Sequence, residues 1–138
     1  MATLKSNSEA GVRGRVIRAL LLCGLALLAA PAGGHARLLR AAPADKSVVK
    51  ESPARVELWF NELLDVSFNN IEVYRAAEVR QKQRKNFVKS KPQVDAKDRT
   101  HIVAELEPLA PGEYCVEYRV LSRDGHTAPG RFSFRVQP

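Results

Sequence analysis

Hydrophobic and polar residues alternate along several short runs of the chain, downstream of an apolar N-terminal stretch. In the longest run, every second residue from Tyr114 to Val120 is apolar or aromatic, while Glu117 and Arg119 lie between them. Because successive side chains of a strand point to opposite faces, this period of two predicts strands with one buried face. Five runs follow the pattern, at residues 54–60, 70–75, 101–107, 112–122 and 131–136.

Sequences typical of turns separate these runs, among them PADKS, ESPA, APG and GHTAPG. A shorter strand is expected at residues 38–43, at a sheet edge, because Pro43 lacks the backbone N–H that a central strand would use. Helical periodicity is not evident in these runs. The pattern therefore predicts an all-β fold, a small antiparallel β-sandwich of about seven strands.

Residues 75–99 depart from this alternation and are rich in Lys and Arg. We expect one further strand within them, at residues 86–90, with Phe87 as its apolar anchor. Two interpretations of the rest of the segment stay open. It is either a solvated hairpin or loop, or a docking patch for an acidic partner.

The N-terminal stretch has the parts of a secretory signal peptide. Basic residues precede an apolar run at positions 19–32, which is shorter than the ~20 apolar residues that a membrane span needs. The small residues Ala32 and Gly34 fit a cleavage site just before His35, and cleavage after Ala36 is the alternative.

Cleavage before His35 divides the chain into two regions. Residues 1–34 are the predicted signal peptide, and residues 35–138 are the predicted domain, which we expect to be exported to the periplasm. The exported region keeps 18 of the 22 Lys and Arg and 14 of the 15 Asp and Glu, a formal charge of +4. This weak basic balance does not indicate a nucleic-acid partner. It also keeps a single cysteine, Cys115, which is expected to be a buried thiol, so the fold depends on its core alone.

A candidate metal-binding pair lies after the longest run, in the sequence SRDGHTAPG at residues 122–130. On an extended backbone, Asp124 and His126 would point the same way, because they are two residues apart. Such a pair alone is weak evidence for a metal site, since an Asp that only fixes a surface imidazole by a hydrogen bond has the same spacing. A mature N-terminal His35 would add an amine and a second imidazole. Three nitrogens and one oxygen favour Cu(II), with binding that weakens in acid as the nitrogens are protonated.

The same residues carry a family resemblance. The region from HARLLRAAPAD through VELWFNELL to LAPGEYCVEYRVLSRDGHTAPGRFSFRV resembles the CopC family of exported copper-resistance domains, and S-x-D-x-H-x-x-x-G is its distinctive part. The resemblance implies an immunoglobulin-like or cupredoxin-like sandwich with Greek-key connections. It also implies one Cu(II) ion per chain, bound by His35, Asp124 and His126. Glu62 falls where the family often has an acid, and it either holds an imidazole in orientation or is a plain surface carboxylate.

Further expectations follow from the resemblance. Some family members carry a methionine-rich loop that binds Cu(I), but this chain has no methionine after Met1, so a single Cu(II) site is expected. The implied partner, besides the copper ion, is a separate CopD-like membrane copper transporter. We expect a monomer that is not an enzyme, with a role in copper homeostasis or resistance.

Two other functions remain as alternatives. A copper-dependent oxidative enzyme with a histidine-brace site would need an open position for oxygen, which Asp124 is placed to fill. A metal-free immunoglobulin-like interaction module would ignore copper. Two residues outside the motif have simpler expectations: His101 faces solvent, and Trp59 either packs on the second layer or shields the copper end.

Overall fold

A computed structural model describes residues 35–138. The predicted signal peptide, residues 1–34, lies outside the described residues. Within the described part, no helix is long and apolar enough to cross a membrane.

The described residues form eight strands in two four-stranded sheets. The first sheet has the order β1-β3-β6-β5 and the second has the order β2-β8-β7-β4. All neighbouring strands pair antiparallel except β2 and β8, which are parallel. The strands are β1 (Leu38–Ala42), β2 (Val48–Val49), β3 (Arg55–Phe60), β4 (Asn70–Arg75), β5 (Gln93–Val94), β6 (His101–Glu105), β7 (Gly112–Leu121) and β8 (Thr127–Val136).

The predicted all-β sandwich is confirmed, with three differences in its strands. Strands β2 and β5 were not predicted, because two residues are too few for an alternating pattern to show. The strand expected at residues 86–90 is absent from the described structure, where a single bridge pairs Val88 with Leu106. Strand β8 begins at Thr127, so the predicted turn at residues 127–130 is wrong.

The core lies between the two sheets and is built from the alternating residues. Val56, Leu58 and Phe60 point inward from β3, and Tyr114 and Val116 point inward from β7. Each fully buried side chain of this size contributes about 1.5–3 kcal/mol from the hydrophobic effect. The core therefore provides the stabilisation that disulfides supply in many small exported domains, and the described structure has a free, buried Cys115.

The basic segment 75–99 is more firmly attached than a solvated loop. Phe87 is buried against the core, and its ring contacts that of Tyr114. The guanidinium of Arg84 stacks 3.7 Å from the ring centre of Tyr74. It also lies 3.1 Å from carboxylate oxygens of both Glu72 and Glu117. Phe87 is thus the apolar anchor that was expected, whereas the expectation of a solvated loop is wrong at Arg84 and holds for the exposed lysines of the segment.

Candidate metal centre

A tight turn between β7 and β8 carries Asp124 and His126. The turn closes through backbone hydrogen bonds, in which the N–H of Ser122 donates to the His126 carbonyl at 2.9 Å and the N–H of Gly125 donates to the Ser122 carbonyl at 3.0 Å. Gly125 has a φ of +91°, a conformation that strongly favours glycine. The expected extended backbone is therefore wrong here, and the turn, not a strand, brings the two side chains together.

Asp124 and His126 contact each other directly. Nδ1 of His126 lies 3.1 Å from Oδ2 of Asp124, and the backbone N–H of His126 donates to Oδ1 at 3.1 Å. The hydroxyl of Ser122 also donates to Oδ1. The bond from Ser122 and the two from His126 lower the pKa of Asp124 to about 2. The carboxylate is consequently ionised at neutral pH.

Two buried polar residues support this turn, and neither was predicted from the sequence to have a functional role. Ser122 is 1% exposed and orients the Asp124 carboxylate. The buried Asn69 accepts a hydrogen bond from the N–H of Leu121 at 2.9 Å and donates to the Asp65 carbonyl at 2.6 Å. Ser122 was visible as the first residue of the S-x-D-x-H motif, whereas Asn69 left no signal in the sequence.

The start of the described chain lies beside the turn. The backbone of Arg37 exchanges two hydrogen bonds with Asn61, which follows β3: the N–H of Arg37 donates to Oδ1 at 2.6 Å, and its carbonyl accepts from the N–H of Asn61 at 3.1 Å. Ala36 is buried. These contacts hold His35 so that its ring lies edge-on to that of His126, with 5.3 Å between the ring centres.

The structure thus brings His35 close to His126, and His126 to Asp124. In residues 35–138, however, no three His, Cys, Asp or Glu side chains stand already arranged around a common metal position. Nδ1 of His126 faces Asp124, so a shared ion would have to replace this contact. His35, Asp124 and His126 are all exposed, so all three side chains are accessible to an ion from solvent.

Glu62 lies close to this site without bonding to it. It lines a shallow surface depression together with Asn61, Leu63, Arg123 and Asp124. Among the hydrogen bonds of the described residues, none joins Glu62 to an imidazole. Its proposed role in orienting a histidine stays a prediction.

His101 does not face solvent, so that expectation is wrong. Its side chain is 13% exposed, and its ring stacks on Trp59 with 4.4 Å between the ring centres. Its Nε2 lies 2.9 Å from Glu57, and its Nδ1 lies 3.4 Å from Asp95. The guanidinium of Arg40 covers the Trp59 ring at 3.6 Å. Trp59 therefore packs on the outer face of the first sheet, and His101 is a structural histidine.

The fold and the turn define a small β-sandwich domain with a histidine–aspartate site at one end, and comparisons with known proteins give its family. Residues 38–137 match the model of the CopC domain. The chain belongs to the CopC family.

The relatives show how far this likeness extends. The chain is 29% identical over 111 residues to copper resistance protein C of Pseudomonas syringae pv. tomato. The aligned region covers 80% of this chain and 87% of the relative. The chain is 31% identical over 119 residues, 85% of this chain, to copper transport protein CutJ of Bacillus subtilis (strain 168). The chain spans only about a fifth of that relative, 21% of its length.

A solved structure shows the same fold. The crystal structure of CopC from Methylosinus trichosporium OB3b matches with a TM-score of 0.67 at 30% identity, covering 75% of this chain and 95% of that one. The two curated relatives are named for copper resistance and copper transport, and neither is named for an enzymatic activity. The names agree with the prediction of a binding protein that is not an enzyme.

Proposed function

We propose that this protein is an exported copper-binding protein that takes up one Cu(II) ion through His35, Asp124 and His126. The observation that carries the proposal is the convergence of two elements distant in sequence. The start of the described chain and the β7–β8 turn place two imidazoles 5.3 Å apart, beside an ionised carboxylate.

The donor chemistry suits Cu(II). A mature chain that begins at His35 offers its amine and imidazole as a chelating pair, and His126 and Asp124 add a nitrogen and an oxygen. Nitrogen and oxygen donors in a tetragonal arrangement favour Cu(II), which also has the highest affinity in the divalent series. Soft thioether ligands, which Cu(I) prefers, are absent after Met1.

The three ligands play different parts in uptake. The Asp124 carboxylate is ionised in advance and attracts the cation, whereas the amine and the imidazoles have to be unprotonated in order to bind. An unperturbed α-amino group has a pKa of ~7.7–8.0, so copper competes with protons at that nitrogen near neutral pH. Binding therefore releases protons and weakens as the pH falls.

The biological setting proposed is the periplasm, where the protein sequesters Cu(II) or delivers it to a separate CopD-like membrane transporter. The signal-peptide pattern in residues 1–34 supports export. The relative named a copper transport protein is much longer than the matched region, which supports an association between a domain of this kind and transport machinery. A monomeric carrier would keep the site free for such a transfer.

Two histidine variants, one at the proposed copper site and one outside it, test the proposal. His126→Ala removes an exposed side chain, 59% accessible, and should weaken Cu(II) binding at least about tenfold, since even the loss of a group that merely supports a ligand costs 10–100-fold. His101→Ala removes a packed side chain and should lower the unfolding temperature without changing copper affinity. Titration followed by the copper d–d absorption band, together with thermal unfolding, measures both effects.

Each outcome has a clear meaning. Loss of copper binding in His126→Ala with an unchanged unfolding temperature, and the reverse in His101→Ala, supports the proposed site. Unchanged copper affinity in His126→Ala contradicts it. Oxidation of a reductant by the copper-loaded protein and oxygen would favour the enzyme alternative.

A further inference from the structure

Three large apolar side chains stand exposed on one connection near the candidate copper site. Leu63, Val66 and Phe68 lie in the segment between β3 and β4, and Phe68 is 76% exposed. Within residues 35–138, two other large apolar residues are exposed, Leu39 and Val48, but they lie on strands β1 and β2. We call Leu63, Val66 and Phe68 the apolar tip.

The segment that carries the apolar tip is held in place. The N–H of Ser67 donates to Asp65 at 2.7 Å, and the side chain of Asn69 donates to the Asp65 carbonyl at 2.6 Å. Leu64 is buried, and its N–H donates to the Arg99 carbonyl at 2.8 Å. Because the backbone is fixed, Phe68 cannot relieve its exposure by folding back. The hydrophobic free energy of covering it remains available to a binding partner.

The same segment is hydrogen-bonded to the β7–β8 turn, which carries the candidate copper ligands and is called the copper-site turn below. The N–H of Asp65 donates to the Leu121 carbonyl at 2.8 Å, and the N–H of Arg123 donates to the Leu63 carbonyl at 2.9 Å. Leu63 and Asp124 line one surface depression. Whatever covers the apolar tip therefore comes close to Asp124.

Charges beside the apolar tip indicate the chemistry of its partner. Lys91 lines a depression with Val66, and Arg123 lines one with Leu63. Both cations are exposed, and neither forms an ion pair within residues 35–138. Of the nearby acids, Glu62 and Asp65 are half-buried, and the exposed Asp124 already contacts Ser122 and His126.

From this combination we propose that the apolar tip, with Lys91 and Arg123, docks the domain on an anionic lipid bilayer. A side chain as exposed as Phe68 needs an occupant that surrounds it, which the interfacial region of a bilayer does. Unpaired cations next to inserted apolar residues complement anionic headgroups. Docking in this way would bring the copper-site turn to the membrane surface. The inference does not depend on copper binding.

Binding to vesicles tests the proposal without copper. The probes are vesicles of phosphatidylglycerol and phosphatidylcholine mixed one to two, and vesicles of phosphatidylcholine alone. The exported protein is first shown by mass spectrometry to lack residues 1–34, because their apolar run would itself bind lipid. Flotation should show binding to the anionic vesicles and much weaker binding to the neutral ones.

Matched variants distinguish vesicle binding by the apolar tip from nonspecific binding through any exposed apolar residue. Val66→Ser and Val48→Ser remove the same side chain at nearly equal exposure, 60% and 57%. Val66→Ser should weaken vesicle binding several-fold and Phe68→Ser about tenfold, since each variant removes apolar surface that the bilayer would cover and Phe68 is the larger side chain. Val48→Ser should bind as the unmodified protein does. Lys91→Gln and Arg123→Gln should each cost about fivefold on anionic vesicles.

Three results would overturn the proposal. The first is no binding to the anionic vesicles. The second is binding that Phe68→Ser leaves unchanged, which would reflect net positive charge alone. The third is self-association that Phe68→Ser abolishes, without vesicle binding, which would make a second copy of the chain the partner.

Discussion

Nδ1 of His126 lies 3.1 Å from Oδ2 of Asp124, and the turn that joins β7 to β8 produces this contact. The turn closes over Gly125, while Ser122 at its base holds the other oxygen of Asp124. The imidazole and the carboxylate thus satisfy each other without a metal. An ion at the proposed site would have to replace this contact.

Ser122→Ala tests whether this support matters. The change removes the buried hydroxyl that orients Asp124 but leaves the hydrogen bond from the His126 N–H. We expect copper affinity to fall about tenfold, as is typical when a group that orients a ligand is lost. The free energy of unfolding should fall by about 1 kcal/mol. Isothermal titration and chemical denaturation measure the two effects.

Ser133→Ala is the matched control for that change, because Ser133 is a half-buried serine of β8. Its loss should leave copper affinity unchanged. Equal copper affinity in Ser122→Ala and in the unmodified protein would show that the turn holds Asp124 without its serine.

Much of the fold could be predicted from the sequence because its strands are half-buried. The alternation in β3, β4, β6 and β7 reflects one face in the core and one outside, and each of these strands was placed to within a few residues. Strands β2 and β5 have two residues each, too few to show any period. Their pairing is set by their neighbours in the sheet and not by their own sequence.

The candidate site was predicted in its residues and not in its geometry. The S-x-D-x-H spacing singled out Asp124 and His126. The same spacing places the two side chains differently on a strand and on a turn, so the spacing alone does not predict their relative position. The packing of His101 on Trp59 depends on which residues β3 and β6 place side by side, and the register pairs these two directly. A sequence does not state this register, so the prediction of a solvent-facing His101 failed.

Gly130→Ala should be strongly destabilising. A Cβ built on Gly130 would lie 2.1 Å from atoms of the Tyr118 ring, so the ring or the strand has to move. We expect a loss of about 1–3 kcal/mol in the free energy of unfolding, typical of overpacking. Denaturant unfolding measures this loss.

Gly125→Ala separates steric clash from backbone strain. No atom lies within 4 Å of a Cβ at Gly125, so only its φ of +91° opposes a side chain. The expected cost is about 1–2 kcal/mol in the free energy of unfolding, with a disturbed turn and weaker copper binding.

If Gly130→Ala proved as stable as the unmodified protein, the close packing of Tyr118 on β8 would be wrong.

Acid should destabilise the domain partly through Glu117. Hydrogen bonds from Tyr74 and Arg131 lower the pKa of Glu117 in the folded state. A lowered pKa in the folded state stabilises the fold at pH values above the ordinary glutamate pKa of about 4.3. This stabilisation is lost as the pH falls from there through the lower pKa of the folded state. Glu117→Gln should therefore show a smaller fall in unfolding temperature than the unmodified protein on acidification through this range.

Glu113→Gln provides the comparison, because Glu113 is an exposed residue of the same strand whose carboxylate lies 3.5 Å from Arg135. It should keep the acid dependence of the unmodified protein. An identical acid dependence in Glu117→Gln would remove Glu117 from this account.

Whether the amine of His35 binds copper is decided by a Cu(II) titration of two proteins that differ by one residue: the chain that begins at His35, and the same chain with a glycine added before it. The added residue moves the free amine away from the His35 imidazole and leaves every side chain of the sandwich in place. The proposed site requires one Cu(II) per chain for the first protein, an affinity at least about tenfold lower for the second, and equal unfolding temperatures without copper. Equal copper affinities for the two proteins would contradict it.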